Sequence, residues 1–292
     1  MKYLQSLPMD YLNLGCGRRF NPTWTNVNFV STGDGVIAHD LTQGIPFPDA
    51  SFDVVYHSHL LEHFLKTTAE SFLKECCRVL RPQGVLRVVV PDLEQLARTY
   101  LIALEQASSG SQEWAANYEW ILLEMYDQTV RCRPGGDMAA YLSREHIPNE
   151  TFVLKRLGVE AKNLIETGRK RRQKPQPASV PESQSKPLLQ KIYRFVRYST
   201  YPRDLLLKLL LGQDYRALQI GRFRQSGEVH QWMYDRYSLS VLLEQCALEG
   251  IVQRTATESY IPEWVDFNLD TEPDGTVYKP DSLFIEAIKP AP

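Results

Sequence analysis

The sequence predicts a doubly wound α/β domain with a helical insertion after its fifth strand. Three observations predict it. Residues 11–91 alternate short apolar runs with turns and one helical pattern, residues 92–224 read as mostly helical, and strand signals return only near the end. Strands that are nearly continuous apolar runs, joined by crossovers, imply a parallel sheet covered on both faces.

The strand signals of the first part are Tyr11–Leu14, Trp24–Phe29, Val36–His39, Phe52–Tyr56 and Val85–Val90. A helical pattern runs from about Leu61 to Leu80, with apolar residues near a 3.6 period. Arg81-Pro82-Gln83-Gly84 stops it, because proline cannot continue a helix and glycine permits the turn. Asp92 caps a helix reaching about Ala107, and Trp114–Val130 forms another. A last helix, Ser238–Leu248, precedes strands near Ile251–Ala256 and Leu283–Ile288 that close the sheet. The organisation is therefore residues 1–98 as core, 99–228 as insertion and 229–292 as the closing elements, with a Pro/Ser/Gln-rich linker at about 173–186.

Composition bounds the rest. The chain has 292 residues, of which 43% are hydrophobic and 23% charged, enough for a sizeable core. No run of roughly 18 apolar residues suggests a membrane span, and no signal peptide is read before the first strand. Five cysteines, two of them adjacent, suit neither a disulfide framework nor a metal-ligand spacing, which points to a reducing cytoplasm. Charge is uneven. Lys155 to Arg224 carries 17 basic and 5 acidic residues, hence +12, and a chain of net −2 leaves −14 elsewhere.

The most informative run is Tyr11-Leu12-Asn13-Leu14-Gly15-Cys16-Gly17, a strand ended by two glycines. Glycine there allows a tight turn and the approach of a ligand to bare backbone. A third glycine at position 20 would complete a pyrophosphate fingerprint, but Phe20 stands there. Asn28 and Asp40 follow at strand ends, then Ile45 to Val55 and Glu75-Cys76-Cys77-Arg78-Val79-Leu80-Arg81-Pro82-Gln83-Gly84. As an ordered set over residues 11–91 this resembles the class I S-adenosylmethionine (SAM)-dependent methyltransferases of the broad type 11 kind. Gly227 to Asp235 and Lys279 to Phe284 resemble a bacterial branch of that family associated with biosynthetic or cell-surface saccharide clusters.

The resemblance implies a Rossmann-like methyltransferase sheet and SAM as cofactor. It implies contacts from Gly15, Cys16 and Gly17 to the methionine end, from Asn28 to the ribose and from Asp40 to the adenine, with Leu41 and His57 also at the cofactor. Asn28 stands where the family carries a carboxylate, which loses a charge-assisted bond worth roughly 1 kcal/mol.

Methyl transfer needs chiefly positioning, with a general base when the acceptor is a hydroxyl. Three of the six histidines lie in Tyr56-His57-Ser58-His59-Leu60-Leu61-Glu62-His63. His59 to His63 formally matches an H-x-x-E-H zinc signature and resembles the Glu-x-x-Glu-His metal site of certain O-methyltransferases, with His59 replacing the first Glu. It also reads as an ordinary helix start. No metal is assigned, and His59 and His63 are the expected bases. His230, Trp232, Tyr234 and Asp235 are the expected acceptor-binding residues, and Arg131 to Met138 a lid or an ordinary turn.

The expected activity is methylation of a small molecule, at oxygen. A saccharide or lipid-linked acceptor at a membrane surface, and a SAM-binding scaffold without turnover, are alternatives. The basic run Gly168–Lys174 lacks interleaved aromatics and implies no nucleic-acid partner. The leucines of 205–211 beside basic residues admit peripheral membrane contact.

Overall fold

The computed structural model describes residues 9–173 and 200–291. Its centre is a seven-stranded sheet of β1 (Tyr11–Leu14), β2 (Thr25–Asn28), β3 (Val36–Ala38), β4 (Phe52–Ser58), β5 (Leu80–Pro91), β6 (Glu249–Arg254) and β7 (Ser282–Ile288). The order is β3-β2-β1-β4-β5-β7-β6. β1 to β5 are mutually parallel, and β7 runs antiparallel between β5 and β6. The two late strands close the sheet as expected.

One face is covered by α1 (Lys66–Val79) and α8 (Arg236–Gln245), whose Phe72, Leu73, Leu239 and Leu243 pack on Leu12, Leu14, Val55 and Val88. The other face departs from expectation. The β1–β2 and β2–β3 crossovers contain no helix. That face is covered by the β6–β7 connection, where Trp264 and Phe267 meet Trp24 and Tyr56 in an aromatic cluster. Large rings there bury the apolar area that crossover helices bury elsewhere. Arg87 fixes this cover to the sheet: it is fully buried, 2.8 Å from both Asp270 and Glu286, and its guanidinium lies over Trp264.

The helical pattern expected at 61–80 divides. Residues Leu61–His63 form a single 3-10 turn, and α1 begins only at Lys66. The Arg81–Gly84 turn is instead an irregularity within β5, with Gln83 at φ 65 and a register shift opposite Phe52–Val54.

The insertion contains α2 (Leu93–Ser108), α3 (Gln112–Val130), α4 (Gly136–Leu142), α5 (Glu150–Gln173), α6 (Thr200–Leu211) and α7 (Tyr215–Arg224). Asp92 caps α2 by accepting from Gln95 N at 3.1 Å, so the expected boundary at 98/99 falls inside a helix. Trp120, Ile121, Tyr141, Leu142 and Val153 form its own core. α5 is broken at Gly158 (φ 60), where the insertion meets the sheet domain: Val159 N donates to Tyr278 O at 3.2 Å. The expected linker, apart from residue 173, lies outside the described residues. No helix among the described residues is long and apolar enough to cross a membrane.

Candidate functional site

Strand order reverses direction around β1 and β4, and a crevice opens beyond their carboxyl ends, where ligands bind in open parallel sheets. The turn after β1 forms one wall. Gly15 and Gly17 both take positive φ, 64 and 55 degrees. A Cβ on Gly15 would lie 2.8 Å from Leu60 Cδ1, a side-chain end that can shift, so it is the left-handed conformation that favours glycine here. A Cβ on Gly17 would meet nothing within 4 Å, which leaves its backbone open to the cleft. The cleft holds about 520 Å³ and is lined by Gly15, Cys16, Gly17, Ser58 and His59 from the sheet domain and by Glu160 and Asn163 from the insertion. Phe20, where a third glycine would stand, packs its ring on Gly33.

The other expected cofactor residues divide by geometry. Asn28 Oδ1 accepts from Gly17 N at 3.3 Å, and its amide donates to Val30 O at 2.9 Å. It therefore ties the glycine turn to the loop after β2. Cys16 is buried, and burial raises its thiol pKa. Asp40 caps the turn Leu41–Gln43, accepting from Thr42 N and Thr42 Oγ1 at 3.0 and 2.7 Å, and these bonds hold its carboxyl below the usual range. Leu41 packs into the main core. His57 is a correction. Residues alternate across a strand, so while Tyr56 and Ser58 face the cleft, His57 points to α1, with its ring 5.3 Å from Phe72. It is fully buried, both ring nitrogens lack partners, and burial drives its pKa down to about 4.

His59 follows β4 in a left-handed conformation, φ 50, unusual for a non-glycine residue. Its Nε2 lies 2.9 Å from Ser282 Oγ and its Nδ1 3.2 Å from Glu62 Oε1. It faces the cleft and also a second cavity of about 170 Å³ beneath the insertion. That cavity mixes apolar walls (Leu96, Met138, Leu142, Leu157, Met233) with buried charge. Arg156 bonds Glu124 at 2.6 Å, and Lys279 bonds Glu160 at 2.8 Å. Burial would lower the Lys279 pKa, but Glu160 and Asp281 outweigh it and raise it. Asp281 Oδ1 is buried without a partner. His59, Glu160 and Lys279 line both spaces. The turn Arg131 to Met138 contributes Arg131, Gly135 and Met138 to the cavity wall.

The expected acceptor residues are not in that wall. Asp235 caps α8 in a capping box with Ser238. Trp232 is partly exposed under the Lys66 ammonium, 4.4 Å from its ring centroid. Tyr234 is buried against the core, and its neighbour Met233 lines the cavity instead. His230 is buried beside His63, ring centroids 4.8 Å apart, with Nε2 4.0 Å from Glu62 Oε1. His63, expected as a base, lines neither the cleft nor the cavity. Sequence reasoning missed Glu124, Arg156, Glu160, Lys279 and Asp281. For the last two the run Lys279–Phe284 was a signal.

Residues 12–88 match the family model described as "Methyltransferase domain". A protein of Mycolicibacterium smegmatis named "Probable S-adenosylmethionine-dependent methyltransferase" is 43% identical over 56 residues, 19% of this chain and 21% of that protein. The aligned segment thus spans about a fifth of that relative. Among solved structures, a SAM-dependent methyltransferase from Archaeoglobus fulgidus is 10% identical, covering 96% of this chain and 86% of that one, with a TM-score of 0.37. The 1,6-didemethyltoxoflavin-N1-methyltransferase of Burkholderia thailandensis is 21% identical over 29% of this chain and 46% of that one, with a TM-score of 0.25. The matched residues run from β1 into β5, so the parallel half of the sheet is the part that resembles a methyltransferase domain.

Proposed function

We propose that this protein transfers a methyl group from SAM to a hydroxyl of a small-molecule acceptor held beneath the helical insertion. The observation that carries this reading is the meeting of two spaces at His59: the cleft beyond Gly17 and the cavity under the insertion. The cleft residues fit the cofactor. Gly17 offers open backbone, the volume lies within the range of small-ligand sites, and Phe20 removes the phosphate cradle that SAM does not need.

SAM, when bound, supplies a methyl group already activated on a sulfonium centre. Gly15, Cys16 and Gly17 would hold its amino-acid end, with Asn28 keeping the turn in shape, and Asp40 and Leu41 would border the adenine. The insertion excludes water and orients the acceptor, which supplies most of the rate in a positional mechanism. His59 takes the acceptor proton at Nε2, and Glu62, beside Nδ1, favours the imidazolium that results. Its bond to Ser282 holds the ring against β7 until the acceptor displaces the hydroxyl.

The experiment is incubation with SAM and a panel of hydroxylated metabolites and glycosides, with products read by mass spectrometry. One added methylene unit on an acceptor oxygen, reduced at least about 100-fold by His59→Ala, supports the reading. Methyl transfer to nitrogen, or no transfer to any acceptor while the demethylated cofactor binds, contradicts it.

One observation favours a membrane-proximal acceptor as a second reading. On α6, Leu209 and Leu210 are 81% and 70% exposed, and Arg203, Lys208, Arg216 and Arg222 lie on or near that helix. Apolar residues flanked by basic ones suit an anionic lipid surface. Cosedimentation with anionic but not neutral vesicles, lost in Leu209→Glu/Leu210→Glu, is the expected result. Absence of cosedimentation contradicts it.

A further inference from the structure

Five carboxylates are buried among the described residues: Glu62, Glu124, Asp127, Asp270 and Glu286. Four are neutralised by arginine. Glu124 pairs with Arg156, Asp127 with Arg131, Asp270 with Arg87, and Glu286 with Arg87 and Arg254. Glu62 is the exception. It is fully buried, no lysine or arginine among the described residues pairs with it, and its nearest polar neighbour is His59 Nδ1, 3.2 Å from Oε1. Its neighbours are imidazoles instead. Burial would raise its carboxyl pKa, but the His59 imidazole beside Oε1 is the first of the groups that lower it. Burial in turn drives His230 down to about 3 and lowers His63.

A buried, unpaired carboxylate is costly. A cation would relieve that cost, and the donors for one are in place. One ligand atom from each of Glu62, His63 and His230 lies within 4.8 Å of the others. Nδ1 of His63 and Nδ1 of His230 are buried and unpartnered. The fold builds this grouping deliberately. Gln231 N donates to Glu62 O at 2.7 Å, which fastens the His230 segment to the 3-10 turn carrying Glu62 and His63, and His230 N donates to Gln128 O at 3.0 Å.

We propose that Glu62, His63 and His230 bind one divalent first-row transition ion. Two nitrogen donors and one carboxylate oxygen suit zinc, manganese, iron(II) or cobalt(II), whereas calcium and magnesium prefer all-oxygen shells. The ion goes beyond the methyl-transfer reading and does not depend on it. Its consequence for the site runs through His59. A metal-bound Glu62 carboxylate accepts the proton on His59 Nδ1, which leaves the Nε2 lone pair facing Ser282 and the cavity. Carboxylate ligands fixed by such outer partners are common in metal sites.

The test uses the full-length, untagged chain, stripped with a chelator and without SAM or acceptor. Cobalt(II) is titrated and its visible absorption recorded, and bound zinc is counted by elemental analysis after reconstitution. The expected result is one ion per chain, with affinity at least about 100-fold weaker in Glu62→Gln and in His230→Gln, and weaker by a smaller factor, about 10-fold, in His59→Ala, which removes the outer partner of Glu62. Circular dichroism checks that each variant is folded. Should Glu62→Gln fold poorly, His230→Gln gives the same readout. No stoichiometric ion in the wild type, or full retention in folded His230→Gln, overturns the proposal. Neither outcome bears on whether SAM binds.

Discussion

His57 and His59 are two residues apart, and the structure gives them opposite surroundings. Strand alternation sends His57 into the α1 layer, while the left-handed turn brings His59 to the junction of cleft and cavity. Histidine-rich sequence marks the strand end, but the side to which each ring points depends on register, which composition does not encode. Gly15, Gly17 and His59 are legible as residues. The Asn28 amide is not, because its partners are backbone atoms of the turn and the next loop. His57 yields a pH prediction. Its folded pKa of about 4 lies below the ordinary 6.5, so the unfolded chain binds the proton first as pH falls. Its contribution is complete above about pH 6.5 and is lost as pH falls toward 4, at a cost of roughly 2–3 kcal/mol by pH 4.5. Urea unfolding at pH 7 and pH 4.5 should show His57→Leu losing less stability on acidification than wild type. Equal losses in the two proteins would contradict the burial of a neutral ring.

Elements with strong periodicity or clear caps were legible to within a few residues: β1, β4, α2 with its Asp92 cap, α3 and β7. What stayed hidden was the cover of the second sheet face. A loop of aromatics leaves no periodic signature, and Arg87 lies inside an otherwise apolar strand, neutralised by Asp270 and Glu286, 183 and 199 residues away. The insertion's attachment was equally invisible. Gly158 looks like a weak point in a helix, yet it is the place where α5 turns against β7's approach. A Cβ there would lie 2.6 Å from Pro280 Cδ and 2.7 Å from Tyr278 O, at a φ of +60. Gly158→Ala is expected to lower stability by roughly 1–3 kcal/mol and to make the insertion more sensitive to limited proteolysis. Unchanged melting and unchanged cleavage would show that this contact does not hold the insertion in place.

At the scale of the whole molecule, one division of labour accounts for the arrangement. The sheet supplies the cleft beyond Gly17, the insertion supplies most of the wall of the second cavity, and residues 279–282 and 59–62 join them. The charge asymmetry follows the same division, since the basic stretch from Lys155 to Arg224 belongs to the insertion. The fold class was legible because continuous apolar strand runs, a helical stretch and two late strand signals together mark an α/β sheet. The lining of the second cavity was not, because it is assembled from α2, α3, α4, α5 and the β7 approach, which are far apart in the chain. The most direct measurement is calorimetric titration of the full chain with S-adenosylhomocysteine, the demethylated cofactor. Ser58 lines the cleft at the end of β4, so Ser58→Phe fills that space without straining a left-handed residue. The account predicts one site of roughly micromolar affinity in the wild type and no measurable binding in folded Ser58→Phe. No heat of binding in the wild type, or undiminished binding in the variant, would contradict it.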